Sequence, residues 1–255
     1  MIVPKLHSPL VLVHGLLGYD QLTVGSWRLA SYFRGIPELL RRGGNRVLVA
    51  RVPPIGSVAE RAARLKEFLD REVPGEPVHL FGHSMGGLDA RYLISRLGMA
   101  QRVLTLTTLG TPHRGTAFAD WGVQRLERPL RPLFERLGIG VQAFYDLTTE
   151  GCRLFNAQVP DAPGVRYFSV AGRYEGDWLS PAWQLSGRIV GAAEGPNDGM
   201  VSVASATYGE STEIWEGDHL SLINWANPLV QACGRWRERT GEYVGLVRRL
   251  ADEGY

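Results

Sequence analysis

The sequence predicts an α/β fold with a mostly parallel central sheet, helices on both faces and a helical cap inserted into the chain. Short apolar strands alternate with amphipathic helices, and one strand leads directly into a glycine-flanked serine that begins a helix. Residues 116–150 interrupt this alternation without a strand. The 255 residues are enough for one large domain with a substantial core, so we expect residues 1–255 to form a single domain.

The strands and helices follow one another regularly along the chain. Apolar runs rich in valine and leucine predict strands at Pro9–His14, Arg46–Val52, Val78–Phe81, Arg102–Leu109, Val165–Ala171 and Thr212–Trp215. Helices are predicted around Trp27–Arg42, over Ser57–Glu72 and Met85–Leu97, and within Leu229–Leu250. In the second of these helices apolar residues recur between charges, which is typical of an amphipathic helix, and Ser57 is the expected N-cap.

The segment Thr116–Glu150 has the composition of an insertion. Its apolar residues are spaced among arginines and glutamates, which predicts amphipathic helices. We interpret it as a cap or lid whose apolar face contacts substrate, and additional helical packing without motion is the alternative. The candidate substrate-contacting residues of this cap are Leu133, Phe134, Phe144 and Tyr145.

Composition excludes several classes of function. The chain carries 28 basic and 26 acidic residues, and its arginines are dispersed, so no nucleic-acid-binding surface is expected. No segment approaches the roughly 20 apolar residues of a membrane span, and no signal peptide is visible. We therefore expect a cytoplasmic protein, with secretion left open. Cys152 and Cys233 are expected to be free, buried thiols, and no His/Cys cluster indicates zinc.

The candidate nucleophile is Ser84, at the centre of a G-x-S-x-G motif within residues 80–87. A serine hydroxyl becomes a useful nucleophile when a tight strand-to-helix turn exposes it beside a base and backbone N–H donors. The flanking glycines remove side chains that would obstruct so sharp a turn. A helix-capping serine in a β–α loop is the alternative.

The candidate general base is His219. In a parallel sheet of this kind the acid and the histidine follow the serine in that order. Only His113 and His219 follow Ser84, and His113 precedes the inserted helices, too early for an acid to lie before it. His219 lies in a loop after the last predicted strand, where a catalytic histidine is expected.

The candidate acid is Asp198. It lies between Ser84 and His219, in an Asn-Asp-Gly turn that can direct a short carboxylate inward. Asp177 and Glu194 are the competing carboxylates.

Two backbone N–H groups are candidates for an oxyanion hole. Met85 directly follows the serine and begins a helix, whose N-terminus favours negative charge. Leu16 follows the first predicted strand, in a glycine-containing loop that can approach the serine closely.

Several stretches, taken together, resemble the bacterial triacylglycerol lipases of the Pseudomonas type, within the α/β-hydrolases. The resemblance implies the α/β-hydrolase fold, with Ser84, Asp198 and His219 as catalytic triad. It further implies Leu16 and Met85 as oxyanion donors, and the family's cap corresponds to the insertion at residues 116–150. The matching stretches are His14–Asp20, Tyr32–Pro37, Gly82–Gly87, Gly110–Gly115, Asn197–Val201 and Asp218–Leu220.

The chain departs from that family at two places. Many members bind structural calcium through an aspartate two residues after the catalytic histidine, where this chain has Ser221. Asp177 could supply another ligand, but the set would be incomplete, so no metal and no cofactor are expected. Secreted members often have a disulfide near the acid loop, and neither cysteine lies near Asp198.

The expected function is that of a serine carboxylic-ester hydrolase of the lipase or esterase type. Its expected partners are acyl esters, including glycerolipid-like ones, with at most transient contact with a lipid surface. Oligomeric state is left open by the sequence. A polyester depolymerase or thioesterase using the same triad is one alternative, and a catalytically silent scaffold used for binding is another.

Overall fold

Strands and helices alternate along the chain in the computed structural model, which describes residues 2–18, 21–24, 27–136, 141–175, 181–226, 228–234 and 236–255. The strands are β1 Leu10–Val13, β2 Gln21–Val24, β3 Trp27–Ser31, β4 Val47–Val49, β5 Val78–His83, β6 Val103–Leu109, β7 Arg166–Arg173 and β8 Ser211–Glu216. The helices are α1 Ile36–Arg42, α2 Val58–Glu72, α3 Met85–Arg96, α4 Ala117–Arg136, α5 Gln142–Asp146, α6 Thr149–Gln158, α7 Pro181–Glu194, α8 Val203–Ala206, α9 Pro228–Ala232 and α10 Thr240–Asp252.

The central sheet has six strands in the order β4-β1-β5-β6-β7-β8, and all of its pairings are parallel. The carboxyl ends of all six strands therefore lie along one edge. In sheets of this kind, loops at that edge form the binding site. The strand β5, which ends one residue before Ser84, lies between β1 and β6.

The sheet is covered on both faces, as a parallel sheet of apolar strands requires. Successive side chains of β1 enter different apolar clusters, because side chains alternate across a strand. Leu10 and Leu12 pack with residues of α1 and α10, whereas Val11 and Val13 pack with residues of α2 and α3. The predicted layering of helices on both faces is confirmed.

The amphipathic helix α2 begins with a capping box, which confirms the predicted cap. Ser57 Oγ accepts a hydrogen bond from Glu60 N at 3.2 Å, and Ser57 N donates to Glu60 Oε2 at 2.8 Å. Its apolar stripe is buried, but the buried face also includes one charged residue, Arg61.

The prediction of one helix around Trp27–Arg42 was wrong in its first half. Trp27–Ser31 forms the strand β3, which pairs antiparallel with β2, and only Ile36–Arg42 is helical. The apolar residues in this stretch fit either period, so periodicity alone did not separate them. The helix begins after Gly35, whose φ is +73°, with Pro37 in its first turn.

The two cysteines differ from the expectation in one respect. Both are free, but only Cys152 is buried, whereas Cys233 is exposed. Cys233 follows the short helix α9, and residues 231–234 are all exposed, so its side chain does not enter the core. Burial raises the pKa of Cys152 to about 12, so its thiol stays protonated at neutral pH.

The segment 116–150 contains α4 and α5, and no strand occurs among its described residues. α4 packs against α5, α6 and α7. α4 has 20 residues, yet no helix in the described ranges is long and apolar enough to cross a membrane.

Candidate active site

Ser84 occupies the turn between β5 and α3. Its φ of 54° and ψ of −130° are unusual for a residue with a side chain, and such strain is maintained only where surrounding contacts fix the backbone. Ser84 N donates to Leu109 O at 2.9 Å, and Thr111 Oγ1 donates to Ser84 O at 2.7 Å. The serine is partly exposed, whereas the residues on either side of it are buried. This is the geometry that a G-x-S-x-G nucleophile requires.

The loop after β1 lies against this serine. A Cβ atom on Gly15 would lie 2.8 Å from Ser84 Cβ, so only glycine permits this approach. Leu17 N donates to Pro54 O at 2.7 Å, which fixes the chain one residue beyond Leu16. No acceptor among the described residues takes the N–H of Leu16 or of Met85, so both N–H groups are available at the turn.

The buried side chain of Arg61 anchors the loop that contains Leu16. Arg61 and Asp89 form an ion pair at 2.8 Å, and both side chains are fully buried. Arg61 Nη2 also donates to His14 O at 2.7 Å, and its Nη1 donates to Pro53 O. The guanidinium therefore fixes the chain just before Leu16 and joins it to the neighbouring loop.

Asp198 and His219 are in direct contact. Asp198 Oδ2 lies 2.7 Å from His219 Nδ1. The other carboxylate oxygen, Oδ1, accepts from Met200 N at 2.9 Å and from Val201 N at 2.8 Å, so the carboxylate is held in one orientation. Because an ionised carboxylate only accepts, we assign the proton of neutral His219 to Nδ1. The lone pair of Nε2 is then the basic site of the ring.

A glycine with positive φ makes room for this pair. Gly110, with φ +56°, directly follows β6, and a Cβ atom there would lie 3.0 Å from Asp198 Oδ2 and 3.2 Å from His219 Nδ1. A side chain at this position would crowd the contact between the carboxylate and the imidazole.

Of the two competing carboxylates, Glu194 is not placed at His219. Glu194 Oε1 accepts from Ala117 N at 2.6 Å, and Glu194 Oε2 accepts from the hydroxyl of Ser202. Glu194 thus provides a hydrogen-bond acceptor for the first backbone N–H group of α4. Asp177 lies outside the described residues.

Ser84 and His219 are brought to neighbouring loops, but no hydrogen bond joins Ser84 Oγ to His219 in the described part of the chain. The link between the loops runs through the preceding residue, since His83 Nε2 lies 3.0 Å from His219 O. The His83 and His219 rings are 4.6 Å apart between centroids. Such catalytic contacts are commonly loose without substrate and tighten when it binds.

Burial keeps His83 neutral. Removal of His83 from water, with His219 nearby, holds its pKa well below the usual histidine range. His113, which the chain order argued against as base, is also fully buried, and burial lowers its pKa in the same way. Its Nε2 lies 3.0 Å from Thr108 Oγ1, away from the Asp198–His219 pair.

The inserted segment meets the candidate oxyanion residues through α5. Ala143 packs in one apolar cluster with Met85, and Leu16 packs against that cluster. Phe144 is 36% exposed. Tyr145 lines a cavity of about 980 Å³ between α2, α4 and α6, and neither Ser84 nor a member of the Asp198–His219 pair is among its lining residues. Leu133 and Phe134 fall within α4, but their side chains lie outside the described residues.

The loop that carries His219 is closed by its own hydrogen bonds. Asp218 Oδ1 accepts from Ser221 N at 2.8 Å, and Ser221 Oγ donates to Asp218 O at 2.6 Å. No group of three or more His, Cys, Asp or Glu suited to a metal ion occurs within the described ranges. Ser221, two positions after His219, thus takes part in a hydrogen-bonded turn.

Sequence reasoning missed the residues that support this site. Thr111 and Tyr32 belong to stretches that carried the resemblance, but nothing in the sequence alone assigned them a contact. Arg61 did carry a signal, because it falls on the apolar face of α2 together with Val58 and Leu65. A charge on such a face needs a buried partner.

Comparison with known proteins gives the same fold. A sequence model described as the alpha/beta hydrolase family matches residues 10–244. Triacylglycerol lipase 2 of Saccharomyces cerevisiae is 36% identical over 231 residues, covering 85% of this chain and 70% of that protein. The triacylglycerol lipase of Vibrio cholerae is 31% identical over 256 residues, covering 85% of this chain and 79% of that protein.

A solved structure agrees. The mature form of Bacillus licheniformis lipase BlEst2 aligns with a TM-score of 0.67 at 26% identity, covering 89% of this chain and 91% of that one. The family sequence model matches most of the chain, two relatives are more than 30% identical to it, and strand β5 of its parallel sheet leads into the serine turn. The chain therefore belongs to the alpha/beta hydrolase family, among its lipases and esterases.

Proposed function

We propose that the protein hydrolyses carboxylic acyl esters through an acyl-enzyme on Ser84, with His219 as base and Asp198 as the orienting acid. The observation that carries this proposal is the 2.7 Å contact between Asp198 Oδ2 and His219 Nδ1, on a loop joined to the serine turn by His83. That contact leaves the Nε2 lone pair as the basic site, and a serine triad uses this nitrogen.

In the first half-reaction Ser84 Oγ forms a bond to the ester carbonyl carbon, and its proton passes to His219 Nε2. The carbonyl oxygen becomes an oxyanion and accepts hydrogen bonds from the N–H groups of Leu16 and Met85. Collapse of this intermediate breaks the bond to the alcohol oxygen, which takes the proton from His219. Asp198 stabilises the imidazolium while it exists.

In the second half-reaction water takes the place of the alcohol. The oxygen of water attacks the acyl carbon while a proton of that water passes to His219. The second oxyanion accepts hydrogen bonds from the same two N–H groups. Collapse returns the proton to Ser84 Oγ and releases the carboxylic acid. The two steps together consume one water and one ester and yield an acid and an alcohol.

The proposed substrates are esters with apolar acyl groups, including glycerolipids. The names of the yeast and Vibrio relatives support this, as both are triacylglycerol lipases. Leu17, which is 66% exposed in the loop that contains Leu16, supports it as well, because an acyl chain would leave water by packing against such an apolar side chain. A series of p-nitrophenyl esters from acetyl to palmitoyl measures this preference. Activity that peaks at acetyl, with none on emulsified long-chain esters, would contradict the lipid part of the proposal.

The ester chemistry itself is tested by turnover of a p-nitrophenyl ester in the wild type and in Ser84→Ala. We expect the variant to lose on the order of 10³-fold or more of kcat, because the nucleophile is removed. Equal rates in the two proteins would overturn the proposed function.

A further inference from the structure

Behind Ser84, three parts of the proposed active site meet: the serine turn, the oxyanion loop (residues 14–18) and the histidine loop (residues 217–225). Two side chains that the mechanism does not use, Tyr32 and His83, lie at the junction. Tyr32 is 8% exposed and His83 is 1% exposed.

Their polar atoms form one continuous chain of hydrogen bonds. Gly15 N donates to Tyr32 Oη at 3.1 Å. Tyr32 Oη lies 2.8 Å from His83 Nδ1, and His83 Nε2 lies 3.0 Å from His219 O. The chain therefore runs from the oxyanion loop, past the residue before the nucleophile, to the backbone of the candidate base.

The direction of each bond follows from its partners. The carbonyl of His219 can only accept, so the hydrogen of a neutral His83 ring belongs on Nε2. Nδ1 is then an acceptor and takes the hydroxyl hydrogen of Tyr32, whose oxygen in turn accepts from Gly15. Protonation of His83 would place a hydrogen on Nδ1 as well, so Nδ1 would donate to Tyr32 Oη instead of accepting from it. Burial, which lowers the pKa of His83, acts against that protonation.

The backbone around Tyr32 is bonded separately to the histidine loop. Trp225 Nε1 donates to Tyr32 O at 2.7 Å. Arg34 N donates to Ile223 O at 3.1 Å, and Asn224 Nδ2 donates to Arg34 O at 2.8 Å. The contacts thus form a closed circuit, since the histidine loop holds the backbone of Tyr32 and the hydroxyl of Tyr32 leads back to His219.

We propose that Tyr32 and His83 are positioning residues that fix the oxyanion loop and His219 at their places relative to Ser84. This inference rests on the proposed function and adds the residues that set its geometry. Neither side chain contacts the reacting atoms in the proposed mechanism. Rates of this kind are sensitive to displacements below 1 Å, so loosening the circuit should lower kcat without removing any catalytic group.

The test is Tyr32→Phe, which removes the hydroxyl and retains the ring. We expect kcat on a p-nitrophenyl ester to fall about 10-fold, with KM within about twofold of wild type, because the loss concerns the transition state. Affinity for a phenylboronic acid, whose serine adduct is tetrahedral and needs the oxyanion hole, should fall in parallel with kcat. A purely structural role would not move kcat and boronate affinity together at constant KM.

Two further variants separate positioning from general loosening. Tyr167 is 6% exposed near the amino end of β7, away from the edge of the sheet that carries the site, and its Oη accepts from Ala162 N at 3.0 Å, so Tyr167→Phe deletes a comparable bond outside the circuit. We expect it to lower thermal stability while kcat stays near wild type. His83→Gln keeps a donor for the carbonyl of His219 but has no atom at the position of Nδ1 to accept from the hydroxyl of Tyr32. Combined with Tyr32→Phe, it should therefore add little to the loss.

Wild-type kcat and boronate affinity in Tyr32→Phe would overturn the positioning role, as would an equal kcat loss in Tyr167→Phe. Additive losses in the double variant would overturn it as well, because residues of one circuit should not act independently. Wild-type protein without Ser84-dependent turnover would instead overturn the proposed function and the positioning role with it. The two failures are therefore distinguishable.

Discussion

Asp198 and His219 are joined at two points, once through their side chains and once through the backbone. Asp198 Oδ2 lies 2.7 Å from His219 Nδ1, and His219 N donates to Asp198 O at 2.8 Å. The same residue therefore orients the imidazole ring and fixes the loop that carries it. A substitution at the carboxylate can change the chemistry while the backbone contact keeps the loop in place.

Asp198→Asn should lower kcat by up to about 10⁴-fold with little change in fold. Met200 N and Val201 N both donate to Oδ1, so an amide oxygen would remain there and the NH₂ group would face His219. A donor at that position requires an acceptor at Nδ1, which moves the imidazole hydrogen to Nε2 and removes the base. Ester kinetics and a thermal melt of both proteins check this. Asp177→Asn is the matched control and should cost little, and the reverse ranking would show the acid to be wrongly assigned.

Replacing Arg61 should lower both kcat and the free energy of unfolding. Arg61→Met leaves Asp89 buried without its partner, which typically costs 3–5 kcal/mol, so urea unfolding should show a large loss. In the double variant Arg61→Met/Asp89→Leu no unpaired charge remains, and much of the stability should return. Its kcat should stay low, because the carbonyls of His14 and Pro53 still lack their donor. Wild-type kcat in the double variant would contradict a role in holding the oxyanion loop.

His79 should make the protein less stable in mild acid. It is fully buried on β5, and burial lowers its pKa to about 4, below the usual value of about 6.5 that applies in the unfolded chain. Between those two values the unfolded state binds more protons than the folded state. Stability is therefore complete above about pH 6.5 and falls as the pH is lowered towards 4, by up to about 3 kcal/mol.

Urea unfolding of the wild type and of His79→Phe at pH 7.5 and 4.5 measures this effect. The variant should lose less stability on acidification than the wild type does. His83 and His113, whose pKa values are also lowered by burial, should leave part of the slope in place. His7→Gln, at an exposed histidine, is the control and should keep the wild-type slope. An unchanged slope in His79→Phe would contradict the prediction.

The cap prediction concerns the helix α4. Replacing Leu133 and Phe134 with serine should reduce turnover of octanoyl esters more than that of acetyl esters, because a longer acyl chain loses more apolar contact at roughly 25 cal/mol per Å². Thermal stability should fall only modestly. Leu154→Ser, at a leucine that is 46% exposed on α6, is the control for a leucine-to-serine change. Equal loss on both esters together with unfolding would make this segment part of the packed core instead.

Most of the correct predictions rest on local sequence patterns. The six parallel strands, the N-cap at Ser57 and the serine turn each depend on a few consecutive residues, so periodicity and motif spacing were sufficient. The order of residues along the chain also separated His219 from His113. The strand Trp27–Ser31 was missed because its apolar residues fit a helix equally well.

The remaining features depend on contacts between distant residues. Tyr32 and His83 are separated by 51 positions and His83 and His219 by 136, so no window along the sequence relates them. The same holds for the donor that Arg61 supplies to His14, 47 positions away. Exposure of Cys233 follows from how α9 is placed, which composition does not determine. Tertiary packing determines such contacts, and the local propensities of the residues do not predict them.

The most direct test of the account is to label the folded protein with a fluorophosphonate and locate the adduct by mass spectrometry while ester turnover is followed. A fluorophosphonate reacts with an activated serine, so it reports the hydroxyl, the base and the oxyanion donors together. We predict one adduct per chain on Ser84, loss of turnover in proportion to labelling, and no labelling of Ser84→Ala. An adduct at another residue, or full turnover in fully labelled protein, would contradict the assignment of Ser84 as the nucleophile.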